Sequence, residues 1–303
     1  MGNRADSGGA KQPRRVGRLT RRLAAVSEGV LSPLPPGLRR PLRRLLWLPV
    51  DLVEGWIGAR LPTVPPRGLR DVGAGDFVAV GDGIARLLEE HCGLAPESRV
   101  LDVGCGIGRV ARALTAVVTP PGSHLGFDVS RTDIRWCRSH LGRRFPAFSF
   151  VHADVRNPVY NPRGRVEPTN FSFPCADSSV DVVVATSLFT HLLDAAAARY
   201  MSEVARVLRP GGRCLATFFL LCDESRALSA RGLGGHRFPS RVGDAWVADV
   251  ARPEAAVAYE EDLLRSFCAQ VGLEVVEPVL WGAWCGREGV SDYQDTVILG
   301  RAL

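Results

Sequence analysis

One stretch limits the possible folds more than any other: Val100-Leu101-Asp102-Val103-Gly104-Cys105-Gly106-Ile107-Gly108-Arg109-Val110. Apolar residues flanking an acid read as a buried strand, glycine at every second position forces a tight turn, and the amphipathic run that follows opens a helix. Glycine there permits positive φ and lets a ligand approach the backbone, while the free N–H groups of the helix start favour polar or anionic ligand groups. Strand-to-helix turns also need glycine for packing alone, so the spacing is more informative than the glycines. The dinucleotide pattern G-x-G-x-x-G requires glycine or alanine at position 109, where this chain has Arg109.

A chain of 303 residues can bury a full core, as one large α/β domain or two small ones. The net charge of +6 is unevenly placed: residues 1–50 hold eleven basic side chains against two acids and carry +9, leaving the remainder near −3. The basic character therefore belongs to an N-terminal extension, and nucleic acid is not the expected partner of the core. Lys11 is the single lysine, so the abundance of arginine reflects composition more than phosphate recognition. Eight cysteines without a C-x-x-C pattern, several of them inside apolar segments, predict reduced, buried thiols in a cytoplasmic protein, and with six scattered histidines they argue against a metal site.

Residues 1–40 lack sustained apolar periodicity, and the first dozen are expected to be disordered. No targeting signal stands out: Arg14-Arg15 and Arg21-Arg22 precede no uninterrupted apolar core, and Asp6 stands where a myristoylation signal wants Ser or Thr. Over residues 42–60, Leu45, Leu48, Leu52, Val53, Trp56 and Ile57 recur at helical spacing, with Pro49 expected to kink or restart the helix. This segment is too short and too charged to cross a bilayer. It reads either as a brace packed on the catalytic domain or as an interfacial helix giving peripheral contact with the inner membrane face. The Pro62 to Gly68 connector then separates an extension, 1–73, from a main domain, 74–303. The apolar face from Phe77 to His91 marks a helix ending at Gly93, with His91 read as structural.

From Arg99 onward short apolar runs alternate with helical ones, as a parallel doubly wound sheet requires. The second strand ends in Asp128, 20 residues beyond Gly108, where α/β nucleotide sites place an acid on ribose hydroxyls. The competing role, a helix N-cap, is contested by Ser130. Asp154 closes the third strand as a ligand acceptor or a turn-forming Asp. Asn157-Pro158-Val159-Tyr160 resembles the amine-holding box of amino-methylating enzymes, but it follows strand three instead of strand four and reads as a proline-rich turn. The fourth strand, Val180 to Thr186, runs into Phe189-Thr190-His191-Leu192, and a helix from Asp194 to Leu208 stops at Arg209-Pro210-Gly211-Gly212. A fifth strand spans Arg213 to Leu221.

Gly104-x-Gly-x-Gly108, Asp128, Ala153-Asp154-Val155, Phe189-Thr190-His191-Leu192 and Val207 to Gly212 stand in the order and spacing of class I S-adenosylmethionine-dependent methyltransferases of the broad small-molecule type, which residues 75–303 resemble. The resemblance implies a Rossmann-like seven-stranded, mostly parallel sheet of order 3-2-1-4-5-7-6, its last strand antiparallel and helices on both faces. To this the chain adds the helical N-terminal extension. It implies S-adenosyl-L-methionine as cofactor, with Gly104, Gly106 and Gly108 around the methionine end. Asp102 would fix the loop or reach the cofactor amine through water, Asp128 would hold the ribose, and Asp154 with Val155 the adenine.

The expected reaction is methyl transfer to a small-molecule or glycan acceptor, at oxygen in preference to nitrogen or carbon. His191 is the first candidate base, because it borders the transfer position and imidazole titrates in the useful range; Thr190 or His191 could instead cap or brace the helix that begins near Asp194. His236 and Tyr259 are weaker base candidates, and Trp284 and Arg287 are expected to shape the pocket. Residues 222–258 form the expected substrate lid. The alternatives are a lipid-linked acceptor at the membrane surface, or a protein that binds the cofactor without catalysis.

Overall fold

The computed structural model describes residues 31, 36–70, 75–290 and 292–302. The expected disorder at the start of the chain lies outside the described residues. The chain divides into two compact units, one ending at Phe77 and one running from Val78 to Leu303.

The first unit is built on helix α1 (Pro36–Trp56), which runs unbroken through Pro41 and Pro49 and so begins earlier than the apolar repeat suggests. Its polar face grips the short 3-10 turn Arg67–Leu69. The Asp51 carboxylate accepts the N–H groups of Arg67 (2.6 Å) and Gly68 (2.9 Å). Glu54, buried, accepts from Arg67 Nε at 2.8 Å, and the same guanidinium covers the buried Trp47 ring. Among the described residues no helix is long and apolar enough to cross a membrane.

Helix α2 (Phe77–Cys92) leads into the second unit and ends before Gly93, which adopts the positive φ of a helix stop. His91, on its last turn, is half-exposed beside Glu90 and is not part of the core. Then come β1 (Arg99–Val103), α3 (Arg109–Leu114), β2 (Ser123–Asp128), α4 (Arg131–Cys137) and β3 (Phe148–His152). A π turn, Arg138–Gly142, prolongs α4. There follow β4 (Val180–Ala185), α5 (Asp194–Val207), β5 (Leu208–Phe218), β6 (Leu220–Leu221), α6 (Asp223–Ala230), β7 (Ser240–Val242), β8 (Ala245–Val247), β9 (Val257–Glu260), α7 (Glu261–Gln270), β10 (Leu273–Leu280) and β11 (Asp295–Arg301).

Seven strands form one sheet in the order β10-β11-β5-β4-β1-β2-β3, with β11 antiparallel to both neighbours. This is the expected order, with β10 and β11 as its sixth and seventh strands. Leu101, Val103, Val183, Ala185 and Cys214 face a core shared with Tyr200, Met201 and Val204 of α5 and Leu264 and Cys268 of α7. The alternate positions Val100, Val182 and Leu215 are buried as well, so the central strands are covered on both faces. All eight cysteines are free thiols.

The fifth strand differs from expectation. The apolar run does not stay in one sheet: β5 ends at Phe218, and Leu220–Leu221 pair with β9 in a second sheet of order β6-β9-β8-β7. Asp295 ties the two sheets together. Fully buried, it accepts the N–H groups of Leu220 (2.8 Å) and Gly282 (2.8 Å) and the indole N–H of Trp284 (2.6 Å). Burial pushes its carboxyl pKa up against those donors.

Candidate active site

The carboxyl ends of β1, β2 and β3 bring the glycine turn and two acids together. Gly104, Gly106 and Gly108 take φ values of 74, 51 and 78°, a region L side chains avoid. The N–H groups of Gly104 and Cys105 both donate to Phe127 O, at 2.9 and 3.0 Å, which moors the turn to the end of β2. Gly108 has a second constraint: a Cβ there would lie 2.8 Å from Leu141 and 3.0 Å from the Cys137 sulfur. Backbone conformation and packing therefore both require glycine there.

Asp128 closes β2 with one backbone amide on each oxygen: Gly106 N–H at 2.9 Å and Ser130 N–H at 2.7 Å. Ser130 is the N-cap of α4, its hydroxyl accepting from Asp133 N–H, so the capping role that competed for Asp128 is already filled. The Asp154 carboxylate lies between Arg165 Nε at 2.6 Å and Asn161 Nδ2 at 3.3 Å, with Arg131 at 3.8 Å. Those hydrogen bonds, Arg165 first, hold its pKa below the usual carboxylate range. Val155 is buried and bridges Val166; the bridge bonds run from Arg156 N–H to Val166 O and from Val166 N–H to Asp154 O, leaving the Val155 amide outside the pair.

Asp102 sits deeper. It is buried, 3.5 Å from His124 Nε2, and its Oδ2 has no hydrogen-bond partner among the described residues. His124 stacks on Phe148 with ring centroids 4.9 Å apart.

A polar rim follows β4. Ser187, at φ 53°, donates its amide to Thr217 Oγ1 at 2.7 Å, and the Ser187 and Thr217 hydroxyls both reach Gln294 Oε1, at 3.0 and 2.7 Å. His191, exposed in the 3-10 turn Phe189–His191, contacts the Glu254 carbonyl through Nδ1 at 2.9 Å. A carbonyl only accepts, so Nδ1 carries a proton, and Nε2 is the nitrogen left to accept one when the ring is neutral. Thr190 is buried, its hydroxyl has no hydrogen-bond partner among the described residues, and α5 starts from Leu193 without a side-chain cap, so neither Thr190 nor His191 caps that helix.

His236 Nδ1 lies 2.5 Å from the Tyr293 hydroxyl, and burial, with a contribution from the nearby His191, lowers its pKa. Ser187, Thr217, Tyr293 and Gln294 escaped the sequence reading. Their signal is positional only, since Ser187 and Gln294 are 107 residues apart and meet because β11 inserts beside β5.

Three expectations are corrected. Tyr259 is buried and donates its hydroxyl to Leu192 O at 2.6 Å, and burial pushes its pKa far up, so it is a structural brace and not a base. Trp284 is fully buried on Asp295, in a core with Phe219 and Phe238, and lines no open pocket. Arg287 is spent on Glu224 at 2.9 Å and on the Gly282 carbonyl. The expected lid, 222–258, folds as α6 and the outer strands of the second sheet.

Residues 100–212 match a family described as a methyltransferase domain. A stretch of 122 residues, 39% of this chain and 36% of the other, is 34% identical to phthiotriol/phenolphthiotriol dimycocerosates methyltransferase 1 of Mycobacterium ulcerans. Over 200 residues, 65% of this chain and 60% of the other, it is 26% identical to the O-methyltransferase cnsE of Penicillium expansum. The chain thus spans between about a third and three fifths of the length of these curated relatives. The crystal structure of the PH0226 protein of Pyrococcus horikoshii superposes with a TM-score of 0.51 at 17% identity, over 81% of this chain and 98% of the other, which is a likeness of fold.

Proposed function

We propose that the chain is a class I S-adenosylmethionine-dependent methyltransferase and that it transfers a methyl group to a hydroxyl oxygen of a small-molecule or glycan acceptor, a reading supported by the methyltransferase-domain match over residues 100–212. The observation that supports the oxygen assignment is the contact of His191 Nδ1 with the Glu254 carbonyl at 2.9 Å, which leaves Nε2 as the nitrogen that would take the acceptor's proton.

The residues present fit the cofactor. The positive-φ glycines leave the backbone of the turn open to the methionine end, and Asp128, held by two amides at the mouth of that turn, presents a carboxylate of the kind that takes ribose hydroxyls. Asp102, buried at the base of the turn with Oδ2 3.5 Å from His124 Nε2, is placed to fix the loop. Asp154 and the Val155 amide are the acceptor and donor an adenine edge requires, with the exposed Arg165 side chain yielding place on the carboxylate. When bound, S-adenosylmethionine supplies a methyl group on a positively charged sulfur. The protein aligns the acceptor, excludes water, and takes the hydroxyl proton on His191 Nε2 as the oxygen attacks.

Calorimetry with S-adenosylmethionine tests cofactor binding, and mass spectrometry of cell extract incubated with labelled cofactor identifies the methylated product. With that product's precursor as substrate, His191→Gln is expected to lower kcat by about 10²-fold or more at unchanged cofactor Kd, with partial rescue by added imidazole. Near-normal turnover by the variant would refute the base role. Cofactor binding without any labelled product would favour a non-catalytic binder.

A lipid-linked acceptor is the second reading. The likeness to a methyltransferase named for phthiotriol dimycocerosates favours it, and a labelled product partitioning into organic solvent would establish it.

A further inference from the structure

Helix α1 has two dissimilar faces. One is used up within its own unit: Trp47 is buried beneath Arg67, and Asp51 and Glu54 are bound to the Arg67–Leu69 turn. The other is apolar and is not covered by the described residues of its own unit. At about 100° per residue, Leu38, Leu42, Leu45, Leu52, Val53 and Trp56 fall on the side opposite Trp47, and Leu38 and Trp56 are about five turns apart on one line. Leu45 is 66% exposed, Leu52 63% and Trp56 89%. A continuous apolar stripe of this length is far from the scattered exposed leucines of an ordinary surface and marks an interaction site.

The surroundings say what the stripe meets. Arg39, Arg40, Arg43 and Arg44 crowd the first half of the helix, and residues 1–50 hold eleven basic side chains against two acids. A protein partner would need a groove with matching carboxylates. A bilayer supplies both chemistries at once, because its acyl boundary takes leucine and tryptophan while its headgroups carry negative charge. The helix does not span: at 21 residues it is long enough, but it carries four arginines and two acids. Lying in the interface plane buries the stripe, while the arginines, which the same spacing sets on the flanks and the Trp47 side, reach headgroups only along their long stems.

We infer that α1 is an interfacial helix that seats its leucine stripe in the surface of an anionic lipid bilayer. The assignment concerns the first unit and does not rest on methyl transfer.

Flotation of the full chain with phosphatidylglycerol–phosphatidylcholine vesicles, against phosphatidylcholine alone, tests it at physiological salt. Wild type is expected to float with the anionic vesicles and more weakly with the neutral ones. Leu45→Glu combined with Leu52→Glu should lower the partition coefficient by about 10²-fold or more, since two buried side chains are lost and two repelled charges added. Both positions are exposed, so circular dichroism and the thermal midpoint should not change. Arg39→Gln with Arg43→Gln should cost about 25-fold on anionic vesicles and little on neutral ones. Val250→Glu, at an exposed apolar site of the second unit, should bind as wild type does. Wild type that fails to float, or a double glutamate variant that floats as well as wild type, would overturn the inference. Equal binding to neutral and anionic vesicles would overturn its electrostatic half.

Discussion

The two edges of the seven-stranded sheet treat their carboxylates in opposite ways. At the amino edge, Asp181 of β4 accepts from the Arg99 amide at 2.7 Å, from Arg99 Nε at 3.0 Å and Nη2 at 3.1 Å, and from Arg209. Burial alone would raise its pKa, but these donors overrule burial and hold it down to about 2. At the carboxyl edge, Asp128 is positioned by backbone amides of its own turn. An acid wrapped by arginine side chains staples β1, β4 and the start of β5 to one another. An acid fixed by amides is held at the carboxyl end of β2, the edge at which α/β sheets place their ligands.

Asp295 tests how far that contrast extends, because it lies at the carboxyl edge yet holds structure. Removing its carboxylate in Asp295→Ala orphans three buried donors, and denaturant unfolding should show a loss of about 3 to 5 kcal/mol. A loss below about 1 kcal/mol would mean that the two sheets are held together by their apolar cores alone.

Asp128→Ala should weaken S-adenosylmethionine binding by about 10²-fold in calorimetry, the worth of charge-assisted bonds to a ribose. Asp181→Ala should leave that affinity within about twofold of wild type. If both variants bind alike, the distinction between the edges collapses.

The smallest effect concerns pH. Asp181 has a depressed folded-state pKa, so its contribution is complete above the unfolded value near 3.9 and fades as pH falls from about 4 through 2. Because Arg99 and Arg209 are half-exposed, solvent screening trims that contribution to about 1 to 2 kcal/mol. Wild type and Asp181→Asn should therefore differ by that amount at pH 7 and converge near pH 2 in urea titrations. A constant difference across this range would show that the carboxylate is not held by charge.

Much of the fold was legible because its signals are local. The glycines at 104, 106 and 108, the apolar runs of β1 and β4, Ser130 before α4 and Gly93 after α2 each encode their own geometry within a few residues. Boundaries slipped where the competing interaction was distant. The apolar run from Cys214 to Leu221 reads as one strand, yet Asp295, 75 residues beyond Leu220, draws its end into another sheet. Tyr259 and Trp284 look like pocket residues by type, and burial against Leu192 and Asp295 removes them from chemistry.

The sequence by itself determined the glycine turn, the alternation of strands and helices from β1 to β5, and the acids at the end of β2 and just beyond β3, since these signals are local. Only the tertiary structure decided what stands around them. Ser187, Thr217 and Gln294 meet, His236 finds Tyr293, and His191 is locked by the Glu254 carbonyl, through contacts that span 30 to 107 residues. Those contacts exist because β11 enters antiparallel beside β5 and the second sheet folds over its end, and no residue-to-residue spacing encodes that arrangement. The leucine stripe of α1 divides the same way: its period is written in the sequence, but which face is spent on Arg67 and which is left uncovered within its own unit is a property of the fold.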